Sequence, residues 1–354
     1  MSNQKTNVAV IGASGYAGAE LIRYLLAHPC VRVSCLVSES NAGNPISEVY
    51  KGFLGQDLPV CESMDLDSIA ARSDIVFQAQ GNGVGMKIAE KLLSRGKRMI
   101  DVPADFRLKN VETYRRFYNS DHSALEALAE AVYGVPELHA AEIASARLVA
   151  NPGCYATAAI LALAPLVCGK MVDRSTIIVD AKSGVSGAGR SKLDSSGLFC
   201  EVNEGFKAYA VATHRHTPEI EQELSVLTGE DVMIQFTPHL VPMNRGILAT
   251  AYASAPAGSD IGPTNCLQEL YSNFYKGKPF VAVLPPGEQP CTKNVFGTNF
   301  CHIGVAADQR TNRVIVTCAI DNMGKGAAGQ AIQNMNLMLG LPETTGLRAP
   351  PVYP

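Results

Sequence analysis

The feature that most constrains the fold is a short apolar run that leads into three evenly spaced glycines. Val8–Ile11 has the length and apolar character of a buried strand, and Gly12-x-x-Gly15-x-x-Gly18 follows it directly. Ala17–Ala27 then places leucine and isoleucine at helical spacing, so the segment predicts a strand, a tight turn and a helix. At such a turn glycines let the backbone approach a pyrophosphate, and the free N–H groups of the helix N-terminus attract it. We therefore expect a dinucleotide to bind here, in contact with Gly12, Ser14, Gly15, Tyr16, Ala17 and Gly18.

The alternation of strand and helix patterns continues through the first 150 residues. Val31–Val37, Asp74–Gln80 and Arg98–Val102 are rich in apolar residues and predict strands. A helical pattern that ends at Arg95 separates the last two. This βαβ order predicts a parallel sheet with helices on both faces, which is a Rossmann-type α/β domain.

Beyond residue 151 the pattern changes to one helix followed mainly by strands. Ala156–Val167 predicts a buried helix. The predicted strands are Thr176–Asp180, Val232–Thr237, Ile247–Ala253, Phe280–Leu284, Ile303–Ala307 and Val314–Ile320. We predict a dinucleotide-binding domain over 1–153 and a second, α+β domain for catalysis, substrate binding and oligomerisation over 154–321. A C-terminal helix at about 322–342 is expected to complete the first domain.

Composition narrows the classes of protein that this chain can represent. Of its 354 residues 47% are hydrophobic and 18% are charged, and the net charge is −3. A sizeable core is therefore possible, and no basic stripe indicates a nucleic-acid partner. The apolar runs are too short for a bilayer, and the polar N-terminus lacks the core of a secretory signal, so a cytoplasmic protein with a small substrate is expected. The ten cysteines form no Cys-x-x-Cys pair, and no metal site is predicted.

Cys154 is the main candidate for a reactive group. It follows Asn151-Pro-Gly and begins the predicted helix, whose N-terminus would lower the pKa of the thiol and stabilise the attacking thiolate. Thr213–Ile220 holds two of the seven histidines, His214 and His216, and either could carry protons near neutral pH. If the segment is extended, the two rings face opposite sides and only one can face the thiol. A thiol beside a hydride-carrying dinucleotide can interconvert an activated acyl group and an aldehyde.

Two further segments have the composition of anion sites. Ser183–Arg190 combines three glycines and two serines with a terminal arginine, which can form a backbone nest with a guanidinium clamp. Asp101–Arg107 places its arginine just beyond a predicted strand, where open α/β sheets collect ligands.

The residues that end the second predicted strand leave the choice of dinucleotide open. Glu39 favours NAD, because a carboxylate at this place can accept hydrogen bonds from the ribose hydroxyls. The flanking hydroxyls of Ser38 and Ser40 could instead hold the 2′-phosphate of NADP, beside which the Glu39 carboxylate would be repulsive unless it points away.

Taken together, these motifs resemble the N-acetyl-γ-glutamyl-phosphate reductases, a family related to aspartate-semialdehyde dehydrogenase. The similarity runs from residue 8 to about residue 340. The segments that carry it are Gly12–Glu20, Ala104–Arg107, Asn151–Thr157, Ser183–Arg190, Thr213–Ile220, Phe236–Leu240 and Asp321–Ala331.

The resemblance implies an enzyme of arginine biosynthesis. It implies NADPH-dependent reduction of N-acetyl-L-glutamyl 5-phosphate to N-acetyl-L-glutamate 5-semialdehyde plus phosphate, through a thioester on Cys154. It also implies that His216 is the catalytic histidine, that Asn322 contacts the nicotinamide, and that the chain forms a dimer or tetramer. The residues expected to bind substrate are Arg107, Asn151, Ser183, Arg190 and His214.

Alternatives remain open at this stage. The substrate could be another acyl phosphate, such as aspartyl phosphate or a carrier-bound aminoadipyl phosphate. A dinucleotide-sensing protein without activity is a different class, but it would not need a thiol, a histidine and arginines together. The residues alone also do not decide between His214 and His216.

Overall fold

Residues 5–190 and 199–353 are described by the computed structural model, and their strands form two seven-stranded sheets. The strands of the first sheet are β1 (Thr6–Ile11), β2 (Val31–Val37), β3 (Cys61–Glu62), β4 (Ile75–Gln78), β5 (Arg98–Asp101), β6 (Val132–Tyr133) and β7 (Leu148–Ala150). They lie in the order β3-β2-β1-β4-β5-β7-β6, and every neighbouring pair is parallel. The Rossmann-type sheet predicted from the sequence is confirmed.

Helices cover both faces of the first sheet. They are α1 (Tyr16–Leu26), α2 (Leu66–Arg72), α3 (Val84–Ser94), α4 (Val111–Tyr118), α5 (Leu125–Glu130) and α6 (Pro136–Ser145). Alternate residues of β1 enter two separate cores: Val10 packs with Leu21 of α1, whereas Ile11 packs with Leu92 of α3. Both faces of this strand are therefore buried, which explains its uninterrupted apolar run.

The second sheet is mixed. Its strands are β8 (Ile178–Ser183), β9 (Lys207–Ala208), β10 (Gln235–Leu240), β11 (Ile247–Ser254), β12 (Val281–Val283), β13 (Cys301–Asp308) and β14 (Arg313–Ile320), in the order β12-β13-β14-β11-β8-β10-β9. β8, β11, β14 and β13 are antiparallel neighbours, and β10 and β12 join the sheet in parallel. Its helices are α7 (Cys154–Cys168), α8 (Phe199–Val202), α9 (Thr217–Thr228) and α10 (Thr264–Phe274).

Helix α7 forms the centre of the second core. Every residue from 155 to 167 is buried, and the helix packs on β11 and β14. An apolar surface all round the helix is typical of a helix that other elements enclose. Of its two ends, Cys154 is half-buried and Cys168 is exposed. Because the rest of the helix is enclosed, α7 holds Cys154 in a fixed position.

The chain returns to the first sheet at its C-terminal end. A π-helical turn, Gly324–Ala328, continues into α11 (Gly329–Met338), whose Ile332 and Met335 pack with residues of β1 and α1. Residues 321–328 contact loops of both sheets: Asn151, after β7, donates to Ala327 O, and Gly246, before β11, donates to the side chain of Asn322. No helix of the described ranges combines the length and apolar content needed to cross a membrane.

Two predicted strands have ends that were displaced by three residues. The strand predicted at 232–237 begins at Gln235 and ends at Leu240, and the strand predicted at 176–180 ends at Ser183. Val232 is buried in the core, but its backbone precedes the first residue that pairs with β8. An apolar run marks burial, whereas a strand also needs a backbone partner.

Candidate active site

The glycine turn has the geometry of a pyrophosphate cradle. Gly12 has a left-handed φ of +85°, and a Cβ there would lie 2.6 Å from the backbone N of Gln80. A Cβ at Gly18 would overlap the carbonyl oxygen of Gly12, so this glycine allows α1 to pack closely on the turn. Gly15 is the N-cap of α1 and has no side chain to cap the first N–H groups of the helix, which are the groups that bind a pyrophosphate.

The hydrogen bonds at the end of β2 bear on whether Glu39 would repel the 2′-phosphate of NADP. The Oε1 atom of Glu39 accepts a hydrogen bond from the backbone N–H of Met64 at 2.9 Å, so the carboxylate already has a partner. Beside it, the hydroxyls of Ser14 and Ser38 lie 2.8 Å apart, and the Asn41 amide donates to Ser38 at 2.9 Å. This polar cluster fits the 2′-phosphate of NADP.

Cys154 begins α7 and lies in a cavity between the two sheets. The cavity has a volume of about 210 Å³. Tyr16 and Ala17, from the first turn of α1, line it together with the cysteine, so the glycine turn and the thiol converge on one space. The other lining residues are Val102, Arg107, Pro152, Gly153, Ser186, Gly187, Gly189, His216, Asn322, Met323, Gly326 and Ala327.

The thiol is not activated in the way its helix position suggests. Burial raises the pKa of Cys154 to about 11, although the charge of Arg107 and the N–H of Tyr155 oppose the rise. The prediction of a lowered pKa is therefore wrong, because removal of the sulfur from water outweighs the helix terminus. The thiol needs a base or a bound substrate to become a nucleophile.

His216 is the imidazole that lines the cavity. A Cβ on Gly153 would overlap its Nε2, so the ring lies directly against the residue before Cys154. Burial, followed by the charges of His214, Arg107 and Arg215, lowers the pKa of His216 well below its usual value. The imidazole is therefore neutral near pH 7 and is able to accept a proton.

His214 lies behind His216 and is absent from the cavity lining. The segment is not extended: Thr217 N donates to His214 O at 3.0 Å as the chain turns into α9. The two imidazoles consequently pack edge to face with centroids 4.7 Å apart, instead of facing opposite sides. Burial, aided by Arg215, lowers the pKa of His214 to about 4.

Glu219 is a site residue that the sequence analysis did not single out. Its buried carboxylate accepts hydrogen bonds from Gly153 N at 2.7 Å and from Tyr133 Oη at 2.7 Å, and it pairs with Arg107 at 3.3 Å. These contacts tie the loop before Cys154 to α9. An acidic residue in the first turn of a helix is common because of the helix dipole, so the sequence carried no specific indication of this role.

The Arg107 guanidinium is buried and largely committed to the protein. Its Nε donates to Asn151 O at 2.8 Å and its Nη2 to Val102 O at 2.7 Å, while Nη1 faces Glu219 and lies 3.5 Å from His216 Nε2. It lines the cavity and brings a positive charge to it.

Two further predicted substrate residues have buried side chains that bond to the protein. Asn151 donates to Ala327 O at 3.1 Å and accepts from Asn334, which joins the cysteine loop to the C-terminal segment. Ser183 donates to Gly184 O at 2.9 Å and does not line the cavity.

Arg190 lies in a larger neighbouring cleft of about 960 Å³, where its guanidinium is 5.6 Å from the centroid of the Tyr50 ring. Asn322 lines the thiol cavity itself. Its side chain accepts from Gly246 N at 2.7 Å and donates to Ser186 Oγ at 2.9 Å, which holds the amide in place.

Comparison with known proteins bears on this site. Residues 7–146 match the family model described as the semialdehyde dehydrogenase NAD binding domain, and residues 154–322 match the semialdehyde dehydrogenase dimerisation domain. Aspartate semialdehyde dehydrogenase II from Vibrio cholerae, complexed with ASA, has a TM-score of 0.71 at 18% identity and covers 95% of this chain and 99% of its own. The corresponding enzyme from Candida albicans, solved with NADP, has a TM-score of 0.69 at 15% identity over 95% and 99% of the two chains. At these identities the structures show a shared fold.

Sequence relatives are much closer. N-acetyl-gamma-glutamyl-phosphate reductase from Pelotomaculum thermopropionicum is 54% identical over 98% of this chain and 99% of its own. The protein of the same name from Citrifermentans bemidjiense is 55% identical over the same shares. The chain therefore belongs to the N-acetyl-gamma-glutamyl-phosphate reductase family, within the semialdehyde dehydrogenase fold.

Proposed function

We propose that the protein uses NADPH to reduce N-acetyl-L-glutamyl 5-phosphate to N-acetyl-L-glutamate 5-semialdehyde and phosphate, as a step of arginine biosynthesis. The observation that carries the proposal is one cavity that holds Cys154, His216 and the first turn of α1. Residues 1–153, completed by about 322–342, would bind the dinucleotide, and 154–321 would supply the catalytic residues. The names of the relatives support the choice of substrate.

The residues present fit NADPH, whose nicotinamide supplies a hydride when bound. Gly12, Gly15 and Gly18 would hold the pyrophosphate, and the hydroxyls of Ser38 and Ser40 would face the 2′-phosphate. Asn322 would orient the nicotinamide, since its amide lines the thiol cavity and is held by two hydrogen bonds.

The first chemical step is acyl transfer to sulfur. The neutral imidazole of His216 takes the proton of the Cys154 thiol, and the thiolate attacks the carbonyl carbon of the acyl phosphate. The new C–S bond forms as the C–O bond to phosphate breaks, and phosphate leaves with the electron pair. The charge of Arg107 stabilises the thiolate, which is the direction of its effect on the pKa of Cys154.

The second step is reduction of the thioester. Bound NADPH would supply the hydride that converts the thioester carbonyl to the oxyanion of a thiohemiacetal on Cys154. Its C–S bond then breaks, the aldehyde forms, and the electron pair returns to sulfur. His216, protonated in the first step, returns its proton to the sulfur, so the enzyme regains its starting state.

On the substrate side we assign the anion-binding role to Arg107, because its guanidinium reaches the thiol cavity. Arg190 would act from the neighbouring cleft, whose lining shares Tyr16 and Ser186 with the thiol cavity. Asn151 and Ser183 would instead hold the loops that shape the site, since both side chains bond to backbone carbonyls.

The reverse reaction tests the proposal directly. Purified protein is mixed with N-acetylglutamate 5-semialdehyde, phosphate and either NADP or NAD, and the reduced dinucleotide is followed by absorbance. We expect turnover with NADP, little with NAD, and none with Cys154→Ala. Faster turnover of aspartate semialdehyde than of the acetylated substrate would reject the proposed substrate.

We also propose that the chain forms a homodimer through its second sheet. Along β11, Ile247, Ala249 and the residues that alternate with them are buried under α7, whereas Leu248 and Tyr252 lie on the other face and are half-buried. Residues 154–322 match the family model described as the semialdehyde dehydrogenase dimerisation domain, which supports this assignment. Light scattering should give twice the chain mass of 37.6 kDa, and Tyr252→Glu should shift the protein towards that single-chain mass.

A further inference from the structure

The His214 imidazole holds one tautomer through its hydrogen bonds. Its Nδ1 accepts from the backbone N–H of His216 at 3.1 Å. Since the ring is neutral, its proton is on Nε2, which lies 3.4 Å from the hydroxyl of Tyr209. That hydroxyl donates to Tyr155 Oη at 3.3 Å, and Tyr155 donates to His239 O at 2.9 Å. Each donor in this chain has an acceptor, and the chain ends on a backbone carbonyl.

The His216 ring has no comparable support of its own. Its Nδ1 is buried and has no hydrogen-bond partner among the residues that the structure describes. Its Nε2 lies 3.5 Å from the Arg107 guanidinium, which carries only donors. The ring orientation therefore depends on packing and on the backbone conformation at residue 216.

Packing places His214 against both Tyr155 of the thiol helix and the His216 imidazole, which itself meets Tyr155 with ring centroids 6.0 Å apart. The His214 ring packs edge to face on three aromatic rings. The centroids are 5.5 Å apart for Tyr155, 5.3 Å for Phe236 and 4.7 Å for His216. Tyr155 directly follows Cys154 in α7. A displacement of His214 would thus move the acid–base residue relative to the thiol.

We infer that His214 is a positioning residue for His216, which acts through the backbone hydrogen bond at Nδ1 and makes no contact with substrate. The inference rests on the proposed function, in which His216 transfers the proton of Cys154. A misplaced acid–base group lowers the rate of the chemical steps, whereas substrate affinity depends on other residues.

Two variants of His214 separate this role from simple packing. In His214→Asn the side-chain oxygen takes the place of Nδ1 and can still accept from His216 N–H. In His214→Gln the polar end reaches the place of Nε2, so it can meet Tyr209 but leaves the His216 N–H without its acceptor. Both variants lose the aromatic ring, which makes each the control of the other.

We expect His214→Gln to lower kcat by about 10²-fold, with the KM values for semialdehyde and NADP nearly unchanged. His214→Asn should retain most of kcat. Equal losses in the two variants, wild-type rates in both, or a raised KM with unchanged kcat would each overturn the inference. If His214→Gln does not fold, His214→Asn still decides, because a loss as large as that of His216→Asn would also overturn it.

Alkylation of Cys154 by iodoacetamide provides a readout that needs neither substrate nor dinucleotide. We expect His216→Asn and His214→Gln to slow alkylation at pH 8 to a similar extent, and His214→Asn to react at the wild-type rate. The variants could be alkylated at these relative rates while the wild-type protein does not turn over the acetylated semialdehyde. That result would reject the proposed substrate and still support the role of His214. An unchanged alkylation rate in His214→Gln would reject that role.

Discussion

Replacement of Glu219 by glutamine tests whether one buried carboxylate organises the active site. Glu219 accepts hydrogen bonds from Gly153 N and Tyr133 Oη and pairs with the Arg107 guanidinium. Glutamine has the same shape, but its amide keeps only one acceptor oxygen. If that oxygen serves Gly153 and Tyr133, the NH2 group faces Arg107, and two donors oppose each other where both side chains are buried.

The size of the effect follows from burial. Glu219 is fully buried and the Arg107 side chain is 8% exposed, so the substitution leaves a buried positive charge without its partner. Loss of one partner of a buried ion pair costs about 3–5 kcal/mol. Since whole domains are stable by only about 5–15 kcal/mol, Glu219→Gln should lower the free energy of unfolding by a large fraction.

The same substitution should make Cys154 more reactive. Glu219 is one of the groups that raise the pKa of the thiol to about 11, while Arg107 lowers it. Removal of the negative charge therefore lowers the pKa, and each unit lost multiplies the thiolate fraction at pH 8 about tenfold. Stability and reactivity should thus move in opposite directions, with faster alkylation in a less stable protein.

Glu223→Gln is the matched control. Glu223 lies one turn later on α9, is also buried, and pairs with His139 at 2.9 Å, but it does not line the thiol cavity. Urea unfolding and the rate of iodoacetamide alkylation are measured for both variants. We expect both to be destabilised and only Glu219→Gln to be alkylated faster. Equal alkylation rates in the two variants, or an unchanged free energy of unfolding in Glu219→Gln, would refute the reasoning.

Three other predictions address the thiol, the dinucleotide site and the proton carrier. Cys154→Ala should abolish reduction while the Kd for NADPH, measured by fluorescence titration, stays near wild type; residual turnover above the uncatalysed rate would contradict the nucleophile assignment. Glu39→Gln should change the preference for NADP over NAD little, because the carboxylate binds Met64 N–H, whereas Ser38→Ala should raise the KM for NADP selectively. A large gain in NADP affinity from Glu39→Gln would show that the carboxylate faces the phosphate. Since burial lowers the pKa of His216, the acidic limb of the kcat/KM profile should lie below pH 6.5, and a limb above that value would argue against His216 as the base.

The sequence by itself determined the glycine turn and the buried helix, because each depends on residues that are close together in the chain. Gly12 needs a left-handed backbone and Gly18 leaves no space for a side chain, so their spacing after an apolar run indicated the strand, the turn and the helix that the structure contains. The apolar length of α7 likewise indicated a buried helix with Cys154 at its start. These features depend on residues a few positions apart, whose preferences can be read along the chain.

Contacts between distant residues decided the properties of the thiol and its partners. The pKa of Cys154 is raised because the residues around it remove the sulfur from water, and those residues come from loops and helix ends that flank both sheets. Helix α9 packs against the loop before α7. This packing places His216 beside Gly153 and brings Glu219 to the backbone of the same loop, while His214 accepts a hydrogen bond from the backbone of His216. Desolvation and charge interactions act over distance in space, so only the folded chain determined which imidazole lines the cavity of the sulfur and how readily that sulfur ionises.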